Sequence, residues 1–217
     1  GVEVFGCTVQ MKHLVLTNIQ DDSLDWTNGW KGRAQFVLIK QAATIGDRGI
    51  EADNNEANND STPRAQPILS NLTIIGRAGD SATQGVLLRR GTGANIWNSV
   101  ITGSPTCLTI DGAATFANAG APGSLTGSLT IQNSFVNCAA NFADGDDATF
   151  TTSDWFLSQS GNVAGDSLLS GYLPAAGSPL TLGGAAVSDA FFTPVDYSGA
   201  FKDANSDWTK EWTFPFN

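Results

Sequence analysis

The stretch Leu14-Val15-Leu16-Thr17-Asn18 decides the fold, because four later segments resemble it. One column through these copies advances in steps of 22, 36, 27 and 35 residues. A short apolar run that returns once every few dozen residues predicts stacked units, each of which buries its apolar face against its neighbours. The column consists of Leu16, Leu38, Ile74, Ile101 and Val136.

A second column repeats in step with the first, and in each copy two apolar residues flank one outward position. Gly, Asn and Asp clusters between the runs predict turns, and no helical periodicity separates them. The pattern predicts an all-β fold, a right-handed parallel β-helix (solenoid) over residues 1–138. Residues 139–217 are predicted to be an irregular, aromatic-rich segment of the same domain that packs on the coils, and the stretch 113–127 a pliable loop. The second column is Val2, Leu24, Ile50, Val86 and Leu108.

Composition excludes several classes of partner. The chain has 217 residues, 41% hydrophobic and 15% charged, with a formal net charge of −10. This acidity argues against nucleic acid as a partner, since phosphate neutralisation needs clustered Lys and Arg. No apolar run is long enough to span a bilayer. The repeat already begins at Gly1, so we expect either that the chain is part of a longer protein or that its N-terminal coil associates with a partner chain or a second copy.

The three cysteines, Cys7, Cys107 and Cys138, lack the spacing of a zinc site. The favoured interpretation is that all three fill a stacked core as small apolar side chains. A disulfide between Cys107 and Cys138, about one coil apart, is the alternative.

The second column also places three carboxylates at one outward position on successive coils. Neighbouring strands lie about 4.8 Å apart, so the carboxylates repel each other unless a cation neutralises them. Ca²⁺, which prefers hard oxygen ligands, is the candidate cofactor. Alternatively, Lys31, Arg33 or Arg48 lies over the row. The candidate metal ligands are Glu3, Asp22, Asp25, Glu51 and Asp53.

A catalytic interpretation uses the same carboxylates, because paired acids hydrolyse glycosides when one is protonated and the other ionised. The chain has Asp21-Asp22, but its single histidine, His13, stands outside any Gly-His-Gly motif, and no motif ties the arginines to the acids. We therefore assign no catalytic residue. The candidate ligand-binding residues are the aromatics Trp30, Trp97, Trp208 and Trp212.

Three runs carry a resemblance to a known family: Asp21-Asp22-Ser23-Leu24-Asp25-Trp26, Gly49-Ile50-Glu51-Ala52-Asp53-Asn54, and Pro194-Val195-Asp196-Tyr197-Ser198-Gly199-Ala200-Phe201. They resemble the C-terminal region of uncharacterised bacterial β-helix proteins of the pectin-lyase-like superfold, which are secreted or on the outer surface and often lipoproteins. The resemblance implies an architecture and a location, and no established activity.

We therefore expect a non-catalytic, secreted or cell-surface module that is structural or binds a ligand such as a polysaccharide, and that is a candidate subunit of an extracellular assembly. The alternative is a polysaccharide lyase or glycoside hydrolase of the pectin-lyase-like type.

Overall fold

The computed structural model describes residues 1–79 and 83–216, so residues 80–82 of the predicted fourth coil and residue 217 lie outside it. The chain alternates between two parallel sheets. The first sheet, in spatial order, is β1 (Val2–Phe5), β3 (Leu24–Thr27), β5 (Arg48–Ala52), β7 (Gln84–Leu88), β10 (Thr106–Ile110) and β13 (Ala140–Asp144). The second contains β2 (Gln10–Thr17), β4 (Arg33–Lys40), β6 (Ile68–Ile75), β8 (Ala94–Trp97), β9 (Val100–Thr102), β11 (Leu129–Gln132), β12 (Phe135–Asn137) and β14 (Val163–Ala164).

Smaller elements complete the described chain. They are the helices α1 (Ala113–Ala119) and α2 (Thr152–Leu157), the antiparallel pair β15 (Leu169–Ser170) and β16 (Leu173–Pro174), and a 3₁₀ turn at Pro179–Thr181. In the part of the chain that the structure describes, neither helix has the length and apolarity needed to cross a membrane.

The second predicted column is confirmed by the register of the first sheet. Val2 pairs with Leu24, Leu24 with Ile50, Ile50 with Val86 and Val86 with Leu108. Most of these side chains are buried in one continuous core between the sheets. Each coil therefore stacks its apolar residues directly on those of the coil before it, which is why the column is readable from the sequence.

The first predicted column is wrong by one residue in its second copy. Leu16 pairs with Ile39, while Leu38 pairs with Val15 on one side and Thr73 on the other. Because side chains alternate between the faces of a strand, a slip of one residue turns Leu38 from the core to the outer face. There it is buried by Ala200 and Phe201 of the C-terminal segment, so β4 is buried on both faces.

One residue per coil in the second sheet adopts a left-handed backbone conformation. In β2, β4 and β6 this residue interrupts the strand pairing, and in the next two coils it lies between consecutive strands. Asparagine tolerates this region better than most residues, which explains its use in three coils. The residues, with their φ angles, are His13 (57°), Phe36 (59°), Asn71 (60°), Asn98 (50°) and Asn133 (51°). His13 thus lies inside β2.

Amide side chains of the second sheet hold the C-terminal segment. The Gln35 amide donates to the Thr193 carbonyl and accepts from the Thr193 N–H, both at 2.8 Å. Asn98 makes the same two-way contact with Ala185, again at 2.8 Å. Each side-chain amide forms the two hydrogen bonds that a peptide group of an adjacent strand would form. The backbone N–H and C=O groups of the irregular segment are therefore hydrogen-bonded at these points, although the segment is not a strand of the sheet.

The stretch 113–127 is not simply a pliable loop, which corrects our expectation. It begins with α1, whose Phe116 is buried and lies 5.1 Å from the ring of Phe150. The burial of one aromatic side chain fixes this part of the small-residue segment against the core.

The cysteines also correct the favoured interpretation. Cys107 and Cys138 form a disulfide with a Cα–Cα distance of 5.5 Å, and Cys7 is exposed with a free thiol. A sequence separation of 31 brings the chain back beside its starting point one coil later. That return places the two Cα atoms within the range that a disulfide spans.

Candidate functional site

Three acidic residues form a row on the outer face of the first sheet. Glu3 on β1 pairs with Asp25 on β3, and Asp25 pairs with Glu51 on β5. The next position along the row is Leu87 on β7. The predicted alignment of the three carboxylates is therefore present, and the row ends where an apolar residue replaces the acid.

Two arginines bracket Glu51 at the inner end of the row. Arg48 Nη1 lies 2.9 Å from Glu51 Oε1, and Arg89 Nη2 contacts Glu51 Oε2. Arg89 also donates through Nε to Asp53 Oδ1 at 2.8 Å, and Arg90 Nη1 lies 2.7 Å from Asp53 Oδ2. Glu51 and Asp53 are thus buried with their charges compensated by three guanidinium groups.

Of the three cationic residues considered as alternatives to calcium, only Arg48 contacts a carboxylate of the row. Arg33 instead pairs with Asp189 of the C-terminal segment, at 2.6 Å. No described ion pair involves Lys31, although its backbone N–H donates to Cys7. Arg89, which the sequence analysis left unassigned, contacts both Glu51 and Asp53.

Asp25 differs from Glu51, because no cation in the described part of the chain compensates its charge. Among residues 1–79 and 83–216, no hydrogen-bond donor or cation contacts its carboxyl group. Partial burial, followed by repulsion from Glu51, Asp22 and Glu3, raises the pKa of Asp25 to about 7. Burial also raises the pKa of Glu51, with Arg89 and Arg48 acting in the opposite direction. Near neutral pH the row thus contains a carboxyl group that is about half protonated.

The row forms part of a cleft with a volume of about 530 Å³. Its surface combines carboxyl groups, amides and one aromatic ring, that of Phe5, which is 62% exposed. An open concave site with a few converging polar groups and a perturbed carboxyl is the usual form of a ligand site. The lining residues are Glu3, Phe5, Asp25, Thr27, Asn28, Glu51, Asp53, Asn55, Glu56, Ala57 and Arg90.

This arrangement of parallel sheets has a counterpart among known families. The family model described as "Pectate-lyase like beta helix domain" matches residues 1–213. The chain belongs to this family. No curated protein and no solved structure matches it. The family agrees with the resemblance noted from the sequence, and it shows the type of fold.

The calcium prediction for this β-helix domain meets a competing cation. Oxygens of Asp22, Asp25 and Glu51 lie within 4.8 Å of one another, a spacing that Ca²⁺ ligands also have. However, Arg48 Nη1 lies 2.9 Å from Glu51 and 3.8 Å from Asp22, and its backbone N–H donates to Asp22. The residues therefore fit a guanidinium better than a divalent ion, and Ca²⁺ stays a prediction. The other two predicted ligands fall outside this group, since Asp53 is bound by arginines and Glu3 lies at the exposed end of the row.

The four candidate tryptophans of the β-helix domain do not form one surface. Trp30 is fully buried, packs 5.6 Å from Trp26 and donates to the Val9 carbonyl, so it offers no ring face to a ligand. This corrects its assignment, since the turn after β3 folds the indole into the core. Trp97 is half-buried at the end of β8. Trp208 and Trp212 stack on each other away from the other two.

The sequence analysis missed Arg89 as a partner of the acids, although the signal was present. Leu87 is paired with Glu51, so Arg89 stands opposite Asp53 on the same outward face, two residues further along. Counting on from the confirmed column would have found it. Phe5, which also lines the cleft, carried the same signal, because it follows Glu3 by two residues on β1. Glu56 carries no such signal, because it lies in the loop after β5, outside the strand positions that the columns align.

Proposed function

We propose that this β-helix domain is a non-catalytic module, secreted or on the cell surface, that binds an uncharged, hydroxyl-rich glycan in the acidic cleft. In this proposal the domain is a right-handed solenoid, and its aromatic-rich C-terminal segment packs along the coils. The observation that carries the proposal is the presence of two carboxyl groups, those of Asp25 and Glu3, that have no partner among the described residues and lie beside the exposed ring of Phe5.

A sugar matches this lining chemically. The carboxyl oxygens of Asp25 and Glu3 accept hydrogen bonds from hydroxyl groups, and a ring face such as that of Phe5 packs against the apolar C–H face of a pyranose. Amides on the other side of the cleft add donors and acceptors, with Asn55 Nδ2 held 2.6 Å from Asn28 Oδ1. A polyanionic chain is a poor ligand, because the cleft is acidic and the whole chain carries a net charge of −10.

The arginines favour binding over lyase chemistry. A lyase needs an unengaged base to remove a proton from the substrate. Arg48, Arg89 and Arg90 each contact one or more carboxylates. Their guanidinium groups stabilise the acidic face and are not free to act as that base.

Affinity electrophoresis tests this proposal. We expect hydroxyethylcellulose, laminarin or mannan in the gel to retard the wild type, and polygalacturonate not to do so. Phe5→Ala and Asp25→Ala should reduce the retardation, whereas Lys202→Ala, a change at an exposed pair, should not. The proposal fails if none of the three neutral polysaccharides retards the wild type, or if both cleft variants migrate as the wild type does.

Glycoside hydrolysis is the second candidate, and the raised pKa of Asp25 favours it. A protonated Asp25 is suited to be the general acid, with Glu3 on the adjacent strand as the second carboxyl group. Adjacent strands lie about 4.8 Å apart, near the roughly 5–5.5 Å that separates the carboxyl groups of retaining enzymes. Release of reducing ends from the same polysaccharides, abolished in Asp25→Asn, would support hydrolysis. Retardation without any release of reducing ends would support binding without hydrolysis.

Self-association is also proposed, because both sheets have an unpaired edge at the N-terminal coil. In the described chain β1 pairs only with β3, and β2 only with β4. Free edge strands are templates for pairing with another strand, here that of a second copy. Light scattering over a range of protein concentrations measures the mass. A monomer at every concentration would contradict this proposal.

A further inference from the structure

Three aromatic rings form a stacked ladder on the C-terminal segment, away from the cleft. The ring centroids of Phe201 and Trp208 are 5.1 Å apart and those of Trp208 and Trp212 are 6.0 Å apart, with interplanar angles of 14° and 16°. Exposure increases along the ladder, from 1% for Phe201 through the half-buried Trp208 to 57% for Trp212. The ladder therefore anchors an exposed indole to the protein core.

Hydrogen bonds hold both indoles in place. Trp208 Nε1 donates to the Ala200 carbonyl at 2.7 Å, and Trp212 Nε1 donates to the Trp208 carbonyl at 2.6 Å. One face of Trp212 lies against Trp208, and no other ring of the described residues contacts Trp212. A ring that is already fixed loses little conformational freedom when a ligand packs on its outer face.

Polar residues adjoin Trp212 in the chain. Its neighbours Glu211 and Thr213 line a cavity of about 440 Å³ together with Lys210, Asp207 and Tyr172, and Trp212 is not among the lining residues. Within the described chain, the side chains of Lys210 and Glu211 make no hydrogen bond or ion pair. These two side chains therefore offer a ligand a donor and an acceptor next to the exposed indole.

We propose that Trp212 and the flanking Lys210 and Glu211 form a second glycan-binding surface, which takes an uncharged polysaccharide. The apolar C–H face of a pyranose ring packs on the indole, and its hydroxyl groups reach Lys210 and Glu211.

This proposal goes beyond the cleft, because the two surfaces lie on different sheets. The cleft belongs to the first sheet, whereas the ladder packs through Phe201 on Leu38 of the second. Two surfaces on one rigid domain allow one polysaccharide chain to be held twice or two chains to be bridged. Both arrangements increase the apparent affinity without any new contact.

Affinity electrophoresis in hydroxyethylcellulose separates the two proposals. We expect Trp212→Ala to weaken retardation about tenfold, and Phe5→Ala in the cleft to leave the contribution of the ladder in place. Leu182→Ala, which removes another exposed apolar side chain (73% exposed), is the matched control and should migrate as the wild type does. If only Phe5→Ala weakens retardation, the ladder proposal is overturned and the cleft proposal stands. If only Trp212→Ala weakens retardation, the ladder proposal is supported and the cleft proposal is overturned.

A measurement on the wild type covers the case in which Trp212→Ala disturbs the C-terminal segment. N-bromosuccinimide oxidises exposed indoles, and peptide mass spectrometry locates the product. We expect cellohexaose to protect Trp212 from oxidation. Unchanged oxidation of Trp212 at millimolar cellohexaose overturns the proposal, as does a dimer that dissociates in Trp212→Ala while hydroxyethylcellulose fails to retard either protein.

Discussion

Asp25 and Glu51 stand directly opposite each other on neighbouring strands, yet only Glu51 is bound by arginine. The reason is positional. Arg48 lies on the same strand as Glu51 and Arg89 follows the next strand, so both guanidinium groups lie on one side of the row. Asp25 faces Glu3 on its other side and gains only further negative charge. The row is therefore compensated at Glu51 and uncompensated at Asp25.

Replacing Asp25 by asparagine should stabilise the protein above neutral pH. The raised pKa means that the folded state binds more protons than the unfolded state between pH 3.8 and about 7. Stability from this group is complete below that window and is lost as the pH rises through 7. After allowance for solvent screening, we expect Asp25→Asn to gain about 1 kcal/mol at pH 8, or roughly 2–4 °C in Tm, and little at pH 4.

Thermal unfolding at the two pH values measures this difference. Glu211→Gln, which neutralises an exposed acid without a described ion pair, is the control and should change Tm little at either pH. An equal effect of Asp25→Asn at pH 4 and pH 8 would show that the carboxyl group titrates normally.

Arg89 is expected to be the most sensitive residue of the acidic face. Arg89→Met leaves Glu51 and Asp53 buried with one cation fewer, and such a change costs about 3 kcal/mol. Lys202→Met is the matched control, because Lys202 and Asp196 are both exposed and 3.6 Å apart, and it should cost less than about 0.5 kcal/mol. Urea unfolding midpoints compare the two variants, and similar midpoints would contradict the assigned role of Arg89.

The disulfide should make a larger contribution than any single contact. It closes a loop with a sequence separation of 31, for which the chain-entropy relation gives about 3–4 kcal/mol. Guanidinium unfolding with and without reductant measures this contribution. Cys138→Ser should unfold like the reduced wild type, while Cys7→Ser should retain the full stability. A midpoint that reductant leaves unchanged would mean that the bond does not form.

The attachment of the C-terminal segment depends on Gln35. Gln35→Ala removes both hydrogen bonds to Thr193 and leaves that peptide group partly buried without a partner, a local cost of about 2 kcal/mol. Hydrogen exchange should therefore accelerate around Thr193, while the strands of the first sheet keep their protection. Gln10→Ala, at an exposed position of β2, is the control. If exchange near Thr193 were as slow as in the wild type, contacts other than Gln35 would hold the segment.

The sequence predicts the first sheet better than the second, for a physical reason. On β1, β3 and β5 of the first sheet the residue on the outer face is an acid, so the core residues Val2, Leu24 and Ile50 stand out against polar neighbours. In the second sheet the C-terminal segment covers the outer face, and Leu38 is as buried as Ile39. The alternation of apolar and polar residues then no longer reveals which face is the core. The register predicted from the sequence is therefore wrong by one residue.

The candidate site, like the fold, could be predicted only where its residues lie on or next to the aligned strands of the first sheet. The three acids follow from the confirmed column, and Arg89 follows from its continuation. The burial of Trp30 depends on how a turn folds back over Trp26, which no strand periodicity encodes. The stacking of Trp208 on Trp212 likewise depends on the path of an irregular segment.

The uncompensated carboxyl group of Asp25 is the feature on which the proposed role of the cleft depends, and its titration tests that feature directly. The carboxyl carbon of Asp25, assigned in ¹³C-labelled protein by comparison with Asp25→Asn, is followed by NMR from pH 3 to pH 9. We predict a midpoint at about 7. A midpoint near 3.8, the ordinary value, would mean that a donor or cation compensates Asp25, and it would contradict the open site described here.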